Sequence, residues 1–481
     1  MTKAPADTDT PHTDTPHVLA KSLRWWDGVA ITLSLPAALF VSLGPSIRSL
    51  GAWAAIVLWG VIAAAAALHN WVYSEMGAMF ADKSGGIALY ANEAWAARAP
   101  SLGPLATYAY WFAWATAPAI WGLAIAQLLT AQFWPTATFA LHLGPLHLDA
   151  SQCVALAVAL VSWAFSMVQL RFTMILITAA GVLLMIPVLI FGTCMLTAHG
   201  WSTTTFTWQV GSGLPAVRTV FAWLFVMAWS SYAVEAAASF IPEFRDTVAD
   251  TRKALRVSAL ILLAVFLLTP LGLAGLVGEP RMADDPNGFL QIGITLLFHG
   301  GATLITLVLI AGVLVLSVMG TADAGRALYQ SSRDGLTIRQ FGVLNGAGVP
   351  ARAITVQFAI NLALVLFVGN PLAVIVAGNV GYILAHLLAV SGFVALRIDR
   401  PAAERPIRLA RFWVKVAAGL AVFDAAILLV GLTSAQITGY GGYKEIGIAI
   451  AVLGFSQILY RIRRAQNRAA ARYSPAPITG T

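Results

Sequence analysis

The segment Ile31-Thr-Leu-Ser-Leu-Pro-Ala-Ala-Leu-Phe40 places a proline in the middle of a long apolar run. Pro36 has no backbone N–H and its ring clashes with the preceding turn, so this run predicts an interrupted helix. Taken alone, the proline favours a simple kink. A second segment, Trp229-Ser-Ser-Tyr-Ala-Val-Glu235, sets polar side chains and a carboxyl group inside another apolar run. Because a carboxylate in a membrane span costs about 2.5 to 3.5 kcal/mol, the two segments together favour a binding site.

The composition excludes a water-soluble domain. Of the 481 residues, 59% are apolar and 10% are charged, whereas a soluble domain carries about 25% charged residues. Apolar runs long enough to cross a hydrocarbon core of about 30 Å recur between Val29 and Tyr460. They predict an all-α polytopic membrane protein with twelve transmembrane helices. The predicted helices span residues 28–47, 52–75, 104–134, 151–168, 173–198, 216–242, 257–277, 299–323, 354–369, 372–396, 413–434 and 443–461.

The two interrupted segments fall in predicted helices 1 and 6. Secondary transporters built from inverted repeats carry such interruptions at corresponding positions of both halves, near the bilayer midplane. We therefore predict a 5+5 inverted repeat. Helices 1 to 5 form the first repeat in residues 22–200, and helices 6 to 10 form the inverted second repeat in residues 201–400. Residues 401–462 form helices 11 and 12, residues 1–21 a disordered cytoplasmic tail, and residues 463–481 a second cytoplasmic tail.

The basic residues follow this predicted topology. If the N-terminus lies inside the cell, 25 of the 29 Lys and Arg residues fall on the cytoplasmic side, and Arg48, Arg218, Arg281 and Lys444 fall on the other. The split supports an even number of spans in the cytoplasmic membrane, with both termini in the cytoplasm. The net charge of +8 therefore reflects orientation in a bilayer and does not indicate a nucleic-acid partner. The first twenty residues also lack the basic start and apolar stretch of a signal peptide.

Three stretches of the sequence carry recognisable motifs. Tyr73-Ser-Glu-Met-Gly-Ala-Met-Phe80 is followed by Asp82-Lys-Ser-Gly-Gly-Ile-Ala-Leu-Tyr90 at the end of helix 2. Gly325-Arg-Ala-Leu-Tyr-Gln-Ser-Ser-Arg-Asp-Gly-Leu336 and then Val349-Pro-Ala-Arg-Ala353 follow helix 8. Ala233-Val-Glu235 is similar to a glycine-x-glutamate motif of helix 6. Together these stretches resemble the amino acid–polyamine–organocation transporter superfamily.

The resemblance covers about residues 22–462 and implies a LeuT-type fold, in which helices 11 and 12 are peripheral. It places the substrate site at the two interruptions. The implied substrate-binding residues are Ser34, Leu35, Pro36, Ala37, Ala38, Trp229, Ser230, Ser231, Tyr232 and Ala233. The sequence departs from the family in three places, one of which is the loop after helix 6, where Thr247 and Arg252 replace the family's prolines. Helix 1 lacks the usual glycine-rich triplet, and helix 5 lacks a lysine, so the mode of ion coupling stays open.

Glu235 is the candidate proton-coupling residue. The neighbouring residues 233–238 offer no charge to pair with, so burial favours a carboxyl group that is neutral in one transport state and ionised in another. The competing interpretation is a carboxylate that only caps amides freed by the broken helices. Glu75 is a candidate gating residue or, with equal weight, a partner in an interfacial salt bridge. Ser317 and Thr321 lie where sodium-coupled relatives of the implied fold carry hydroxyl ligands.

Other polar residues inside the predicted spans are interpreted as structural. Polar side chains there usually form hydrogen bonds between helices. This interpretation applies to His69, Asn70, Asn361, Asn379 and His386. Asp424 lies in the peripheral helix 11, where a contact between helices or in an oligomer is a better explanation than transport.

These observations predict a secondary transporter of amino acids or related amines, which works by alternating access as a proton-coupled symporter or an exchanger. The alternatives are a sensor built on a transporter fold and a transporter of other organic cations or polyamines. An enzyme would need metal ligands or a nucleophile with its base at suitable spacing, and a channel would need repeated filter residues. The sequence shows neither pattern, and it predicts no cofactor and no metal.

Overall fold

The computed structural model describes residues 21, 23–33, 35–83, 85–136, 139–143, 146–167 and 173–473. These residues form α-helices, several 3₁₀ segments and one two-stranded hairpin. The α-helices are α1 Trp25–Thr32, α2 Leu39–Leu50, α3 Ala52–Met79, α4 Gly86–Trp95, α5 Leu102–Ala115, α6 Ala117–Phe133, α7 Ala150–Ser166, α8 Thr173–Thr193, α9 Gly213–Tyr232, α10 Thr247–Val277, α11 Glu279–Asp284, α12 Phe289–Phe298, α13 Ala302–Arg333, α14 Ala351–Phe367, α15 Pro371–Asp399, α16 Phe412–Ser434 and α17 Tyr443–Tyr473.

Nine helical segments of the described chain are long and apolar enough to cross a membrane. They are Trp25–Leu50, Ala52–Met79, Leu102–Phe133, Gly213–Glu243, Thr247–Val277, Phe289–Arg333, Pro371–Asp399, Phe412–Thr438 and Tyr443–Ala469. Three shorter apolar helices, Ala150–Ser166, Gly181–Leu196 and Ala351–Phe367, lie where the sequence predicts helices 4, 5 and 9. The protein is therefore a mostly helical, polytopic membrane protein. The count of twelve spans and the inverted repeat stay predictions.

A β-hairpin between α6 and α7 departs from the all-α expectation. Strands β1 Ala140–Leu143 and β2 Leu146–Asp149 pair antiparallel, with Leu141 opposite Leu148. Leucine alternates with other residues along both strands, which is the period of two that favours a strand over a helix. Asp149 then caps the start of α7 by accepting a hydrogen bond from the Gln152 amide at 2.7 Å.

Two helices extend further than predicted. α13 continues to Arg333, so residues 326–333, which lie beyond the predicted end of helix 8 at residue 323, are its last two turns. α17 continues to Tyr473, through basic residues that the prediction assigned to the C-terminal tail. Alanine, arginine and glutamine are good helix formers in water, so a helix can leave the membrane without ending. The other tail, residues 1–20, lies outside the described residues.

The third predicted helix is broken in the middle. α5 ends at Ala115 and α6 begins at Ala117, because Pro118 has no N–H to continue the helical bonding. The Asn361 side chain supplies the missing partners. Its amide oxygen accepts from the Ala119 N–H at 2.8 Å, and its amide nitrogen donates to the Ala115 carbonyl oxygen at 2.7 Å. The prediction that this asparagine bonds between helices is confirmed.

α15 is buried along most of its length and packs against α4, α5, α9, α16 and α17. Gly381 permits a close approach between α15 and α5, since a Cβ atom at this position would lie 2.5 Å from the carbonyl oxygen of Ala109 in α5. Small residues let transmembrane helices pack backbone to backbone in this way. The approach also carries the next residue, Tyr382, towards the interrupted segments of helices 1 and 6.

Candidate functional site

Both predicted interruptions are present in the structure. α1 ends at Thr32, residues Leu35–Ala38 form a 3₁₀ turn, and α2 begins at Leu39. α9 ends at Tyr232 and is followed by a 3₁₀ segment, Ala233–Glu243. Runs of 3₁₀ helix longer than three or four residues are uncommon, because their hydrogen bonds are poorly aligned. The long 3₁₀ segment therefore marks a place where regular α-helical hydrogen bonding is interrupted.

The two interruptions lie against each other. The Ser230 hydroxyl donates a hydrogen bond to the carbonyl oxygen of Ala38 at 3.1 Å. Leu35 packs with Ala233 and Ala236 in a small apolar cluster. The structure therefore brings together residues that are about two hundred positions apart in the sequence. Ser34, which was predicted to belong to this site, lies outside the described residues.

A small aromatic cavity lies where the interruptions meet. Its wall is formed by Leu35, Ala38, Ala113, Trp114, Trp121, Trp229, Ala233 and Tyr382. Its volume of about 10 Å³ is enough for about one water molecule. A ligand of amino acid size therefore enters only if the walls move apart, so the structure shows the cavity in a closed form.

Four aromatic rings line most of this cavity. The ring centroids of Trp121 and Trp229 are 5.5 Å apart, and those of Trp114 and Tyr382 are 6.2 Å apart. Aromatic faces attract cations, most strongly where water is excluded. The predicted residue Tyr232 does not line this wall, because its hydroxyl donates to Asp424 at 2.6 Å instead.

Two larger cavities lie at opposite ends of the pair α5 and α6. One, of about 740 Å³, is lined by residues at the end of α6, by the β-hairpin and by α12, including Gln127 and Asn287. The other, of about 550 Å³, is lined by α4, the beginning of α5 and the end of α13, including Tyr110, Asp323 and Arg326. The closed aromatic cavity therefore separates two wide vestibules that lie at the two ends of one membrane span.

Glu235 lies beside the aromatic cavity and is fully buried. The Tyr382 hydroxyl donates a hydrogen bond to its Oε1 at 2.8 Å. The polar groups that face the carboxyl are Tyr110, Trp114 and Asp323, none of them cationic. No ion pair joins Glu235 to a basic residue in the described part of the chain. Its charge is therefore not neutralised in place.

One of the paired glycines of the first motif, Gly86, lies close to this carboxyl. Gly85 and Gly86 have φ angles of +131° and +52°, which side chains rarely permit. A Cβ atom on Gly86 would lie 3.0 Å from the Ser239 hydroxyl and 3.8 Å from Oε2 of Glu235. The glycines therefore let the beginning of α4 approach the 3₁₀ segment closely. Gly85 also lines the vestibule next to α4 and α13.

Glu75 forms a buried ionic cluster at the end of α3. Its carboxylate accepts hydrogen bonds from Arg397, from the Arg405 Nε at 3.1 Å and from the Leu409 amide at 2.8 Å. The side chains of Glu75 and Arg405 are 2% and 3% exposed. The salt bridge that was one of its two predicted roles is present, and it lies inside the protein rather than at an exposed interface.

The two predicted ion-site hydroxyls already have protein partners. Ser317 and Ser162 are hydrogen-bonded through their hydroxyls at 2.8 Å, and the Thr321 hydroxyl donates to the Ser317 carbonyl oxygen at 2.8 Å. Over the described residues, no group of three or more His, Cys, Asp or Glu side chains is arranged to hold a metal ion. An ion site at these hydroxyls stays a prediction.

Sequence reasoning missed four residues of the site. Trp114, Trp121 and Tyr382 line the cavity, and Asp323 faces Glu235 from α13. The cost of a carboxylate in a span, which drew attention to Glu235, would have singled out Asp323 as well. The aromatic residues gave no such signal, because tryptophan and tyrosine are common in membrane proteins.

Asp424 is fully buried inside the chain, which favours the predicted contact between helices over an oligomer contact.

The sequence matches the family model described as amino acid permease over residues 23–453. No curated protein matches the chain.

Proposed function

The chain belongs to the amino acid permease family, and from that premise we propose that it is a secondary active transporter of amino acids or related amines. It carries them across the cytoplasmic membrane by alternating access. The observation that carries this proposal is the closed aromatic cavity, which lies between two vestibules at the point where two interrupted helices meet. Opening the cavity first to one vestibule and then to the other moves a bound molecule across the membrane.

The walls of the cavity suit the two ends of a zwitterion. The N-terminus of α2 begins beside Ala38, and a helix N-terminus carries a partial positive charge that attracts a carboxylate. The faces of Trp114, Trp121 and Trp229 attract the ammonium group. The 3₁₀ segment contributes backbone carbonyl groups at the same place. A small amino acid or amine therefore finds a partner for each of its polar ends.

Proton coupling is supported by the position of Glu235. Its carboxyl is buried beside the cavity without a basic partner. Burying the ionised form therefore costs more free energy than burying the neutral form. Asp323 lies between it and the vestibule at the end of α13. We propose that Glu235 takes up and releases a proton through this vestibule during symport or exchange. The cluster at Glu75 is a proposed gate on the same side of the membrane.

A sensor that binds the same ligand without transport is the second candidate. It is separated from a transporter by exchange of ligand across a bilayer. A carrier of other organic cations or polyamines is the third, because the aromatic cavity does not by itself require a carboxylate in its ligand.

A thermal-shift screen of the purified protein against amino acids, amines and polyamines tests the proposed ligand class. A ligand that binds only the folded protein stabilises it by about 2.7 kcal/mol at about a hundred times its dissociation constant. We expect at least one small zwitterion or amine to raise the unfolding temperature. Uncharged sugars of similar size are the control. Stabilisation by the sugars alone would contradict the proposal.

Trp229→Leu is expected to weaken the binding of that ligand about 30-fold, because a desolvated cation loses an aromatic face worth about 2 kcal/mol. Trp223→Leu is the matched control, since Trp223 is also fully buried in α9 but lies outside the cavity. Isothermal titration of both variants measures the difference. Equal affinity for the two variants would show that the ligand does not lie against Trp229.

Cysteine labelling tests the predicted orientation. Gln330 and Ser212 are exposed at opposite membrane faces in the prediction, whereas Ser332 is buried and bonds to Ile338, so a cysteine there would not react. In a protein without Cys153 and Cys194, an impermeant maleimide applied to intact cells should modify Ser212→Cys and spare Gln330→Cys. Permeabilised cells provide the control, in which both cysteines react. The reverse pattern in intact cells would invert the topology.

A further inference from the structure

A second buried titratable cluster contains residues that do not line the cavity. Asp424 of α16 is fully buried, and its Oδ2 lies 2.9 Å from Nε2 of His69 in α3. The Tyr232 hydroxyl donates to its Oδ1 at 2.6 Å. Nδ1 of His69 lies 2.8 Å from the Ala65 carbonyl oxygen, and because a carbonyl oxygen only accepts, Nδ1 carries a proton. The hydrogen bond between His69 and Asp424 therefore holds one further proton, on the imidazole or on the carboxyl.

His386 lies between this pair and Glu235. Its ring centroid is 4.6 Å from that of Tyr232, 4.8 Å from that of Tyr382 and 5.4 Å from that of His69. Nδ1 lies 3.0 Å from the hydroxyl of Tyr73, and Nε2 is buried with no hydrogen-bond partner among the described residues. A buried polar atom without a protein partner costs free energy, so packing alone does not explain a histidine at this position.

No lysine or arginine forms an ion pair with a group of this cluster in the described part of the chain, and Arg326 of α13 lies near one member, Asp323. The titratable groups that face one another are His69 and Tyr73 of α3, Tyr90 of α4, Tyr110 of α5, Tyr232 of α9, Glu235 of the 3₁₀ segment, Asp323 of α13, Tyr382 and His386 of α15, and Asp424 of α16. A charge that is buried without a counter-charge costs several kcal/mol. The charge that one group carries therefore changes the cost of charging the others.

We propose that the Asp424–His69 pair is a second proton-binding site, whose charge state is coupled to that of Glu235 through His386. The proton is held as the O–H of the carboxyl or the N–H of the imidazolium and is exchanged with water, and no other bond changes. The role of this pair in transport rests on the proposed proton-coupled function. The pair adds a buried proton site in α3 and α16, away from the cavity.

Infrared difference spectroscopy of the protein in lipid, recorded as the pH is varied, tests this inference without any substrate. Histidine labelled with ¹³C in the ring separates imidazole bands from carboxyl bands. We expect a pH-dependent band that disappears in Asp424→Asn and in His69→Gln and persists in Glu235→Gln. The midpoint of this band should move by about one pH unit or more in Glu235→Gln, since coupled groups titrate together.

Glu445→Gln is the control, because Glu445 is a buried carboxyl at the start of α17, outside the cluster. It should leave the midpoint where it is in the unchanged protein. The inference is overturned if no pH-dependent band depends on both Asp424 and His69, or if its midpoint is the same with and without Glu235. A protein in which the pair titrates but no ligand is exchanged contradicts the transport function alone.

Discussion

Replacing Glu235 by glutamine is expected to leave substrate binding in place and to remove the pH dependence of uptake. Glutamine has nearly the size of glutamate and can still accept the hydrogen bond from Tyr382, but it cannot titrate. The carboxyl is fully buried with no basic partner in the described structure, so the ionised form is costly in this closed state. Uptake that requires Glu235 to change its protonation state therefore depends on pH. A permanently neutral side chain removes that change.

Uptake into proteoliposomes, measured across a range of pH with the ligand found by the thermal-shift screen, shows the effect of Glu235→Gln. Glu93→Gln is a suitable control, because Glu93 is a partly exposed carboxyl that pairs with Lys83 near the membrane surface. It should keep the pH dependence of the unchanged protein. If Glu235→Gln also transports with the normal pH dependence, Glu235 is not the proton-coupling residue and only its capping role remains.

Replacing Glu75 by glutamine is expected to destabilise the protein by about 3 to 5 kcal/mol. The change leaves the guanidinium groups of Arg397 and Arg405 buried without a counter-charge, and an unpaired buried charge is costly. The cluster joins the end of α3 to the end of α15 and to the chain near Leu409, so its loss loosens three segments together.

Thermal unfolding in detergent measures this loss of stability. Asp399→Asn is the matched control, because Asp399 pairs with Arg98 at the end of α15 but their side chains are 33% and 45% exposed, and an exposed pair is worth less than about 1 kcal/mol. Equal stability of the two variants would show that the Glu75 cluster is not a buried anchor. A gating role further predicts that the folded Glu75→Gln protein transports at a changed rate per molecule.

The positions of the helices could be predicted well because the bilayer requires long apolar segments. Pro36 also predicted where helix 1 breaks, since a missing N–H acts locally. The break at Thr116 carried the same signal in Pro118 and was overlooked. The ends of α13 and α17 could not be placed, because hydropathy reports where the membrane ends and not where helical hydrogen bonding ends.

The site was harder to predict than the fold. Glu235 stood out because a carboxylate is rare in an apolar run. Tyr382 did not, because its place beside Glu235 depends on the close approach of α15 to α5 at Gly381, which is a property of packing between distant segments. The sequence places Tyr232 in the cavity because of its neighbours in the chain, whereas in the structure its hydroxyl, at the end of α9, donates a hydrogen bond to Asp424 of α16.

Counterflow in proteoliposomes is the most direct test of alternating access at the cavity between the two helix breaks. Vesicles loaded with an unlabelled ligand that stabilises the purified protein are diluted into a trace of the same ligand carrying a radioactive label. We expect transient accumulation of label in vesicles with the unchanged protein, and a much smaller accumulation at the same ligand concentration with Trp229→Leu. A ligand that binds the protein but shows no counterflow in either case would contradict transport and favour a sensor.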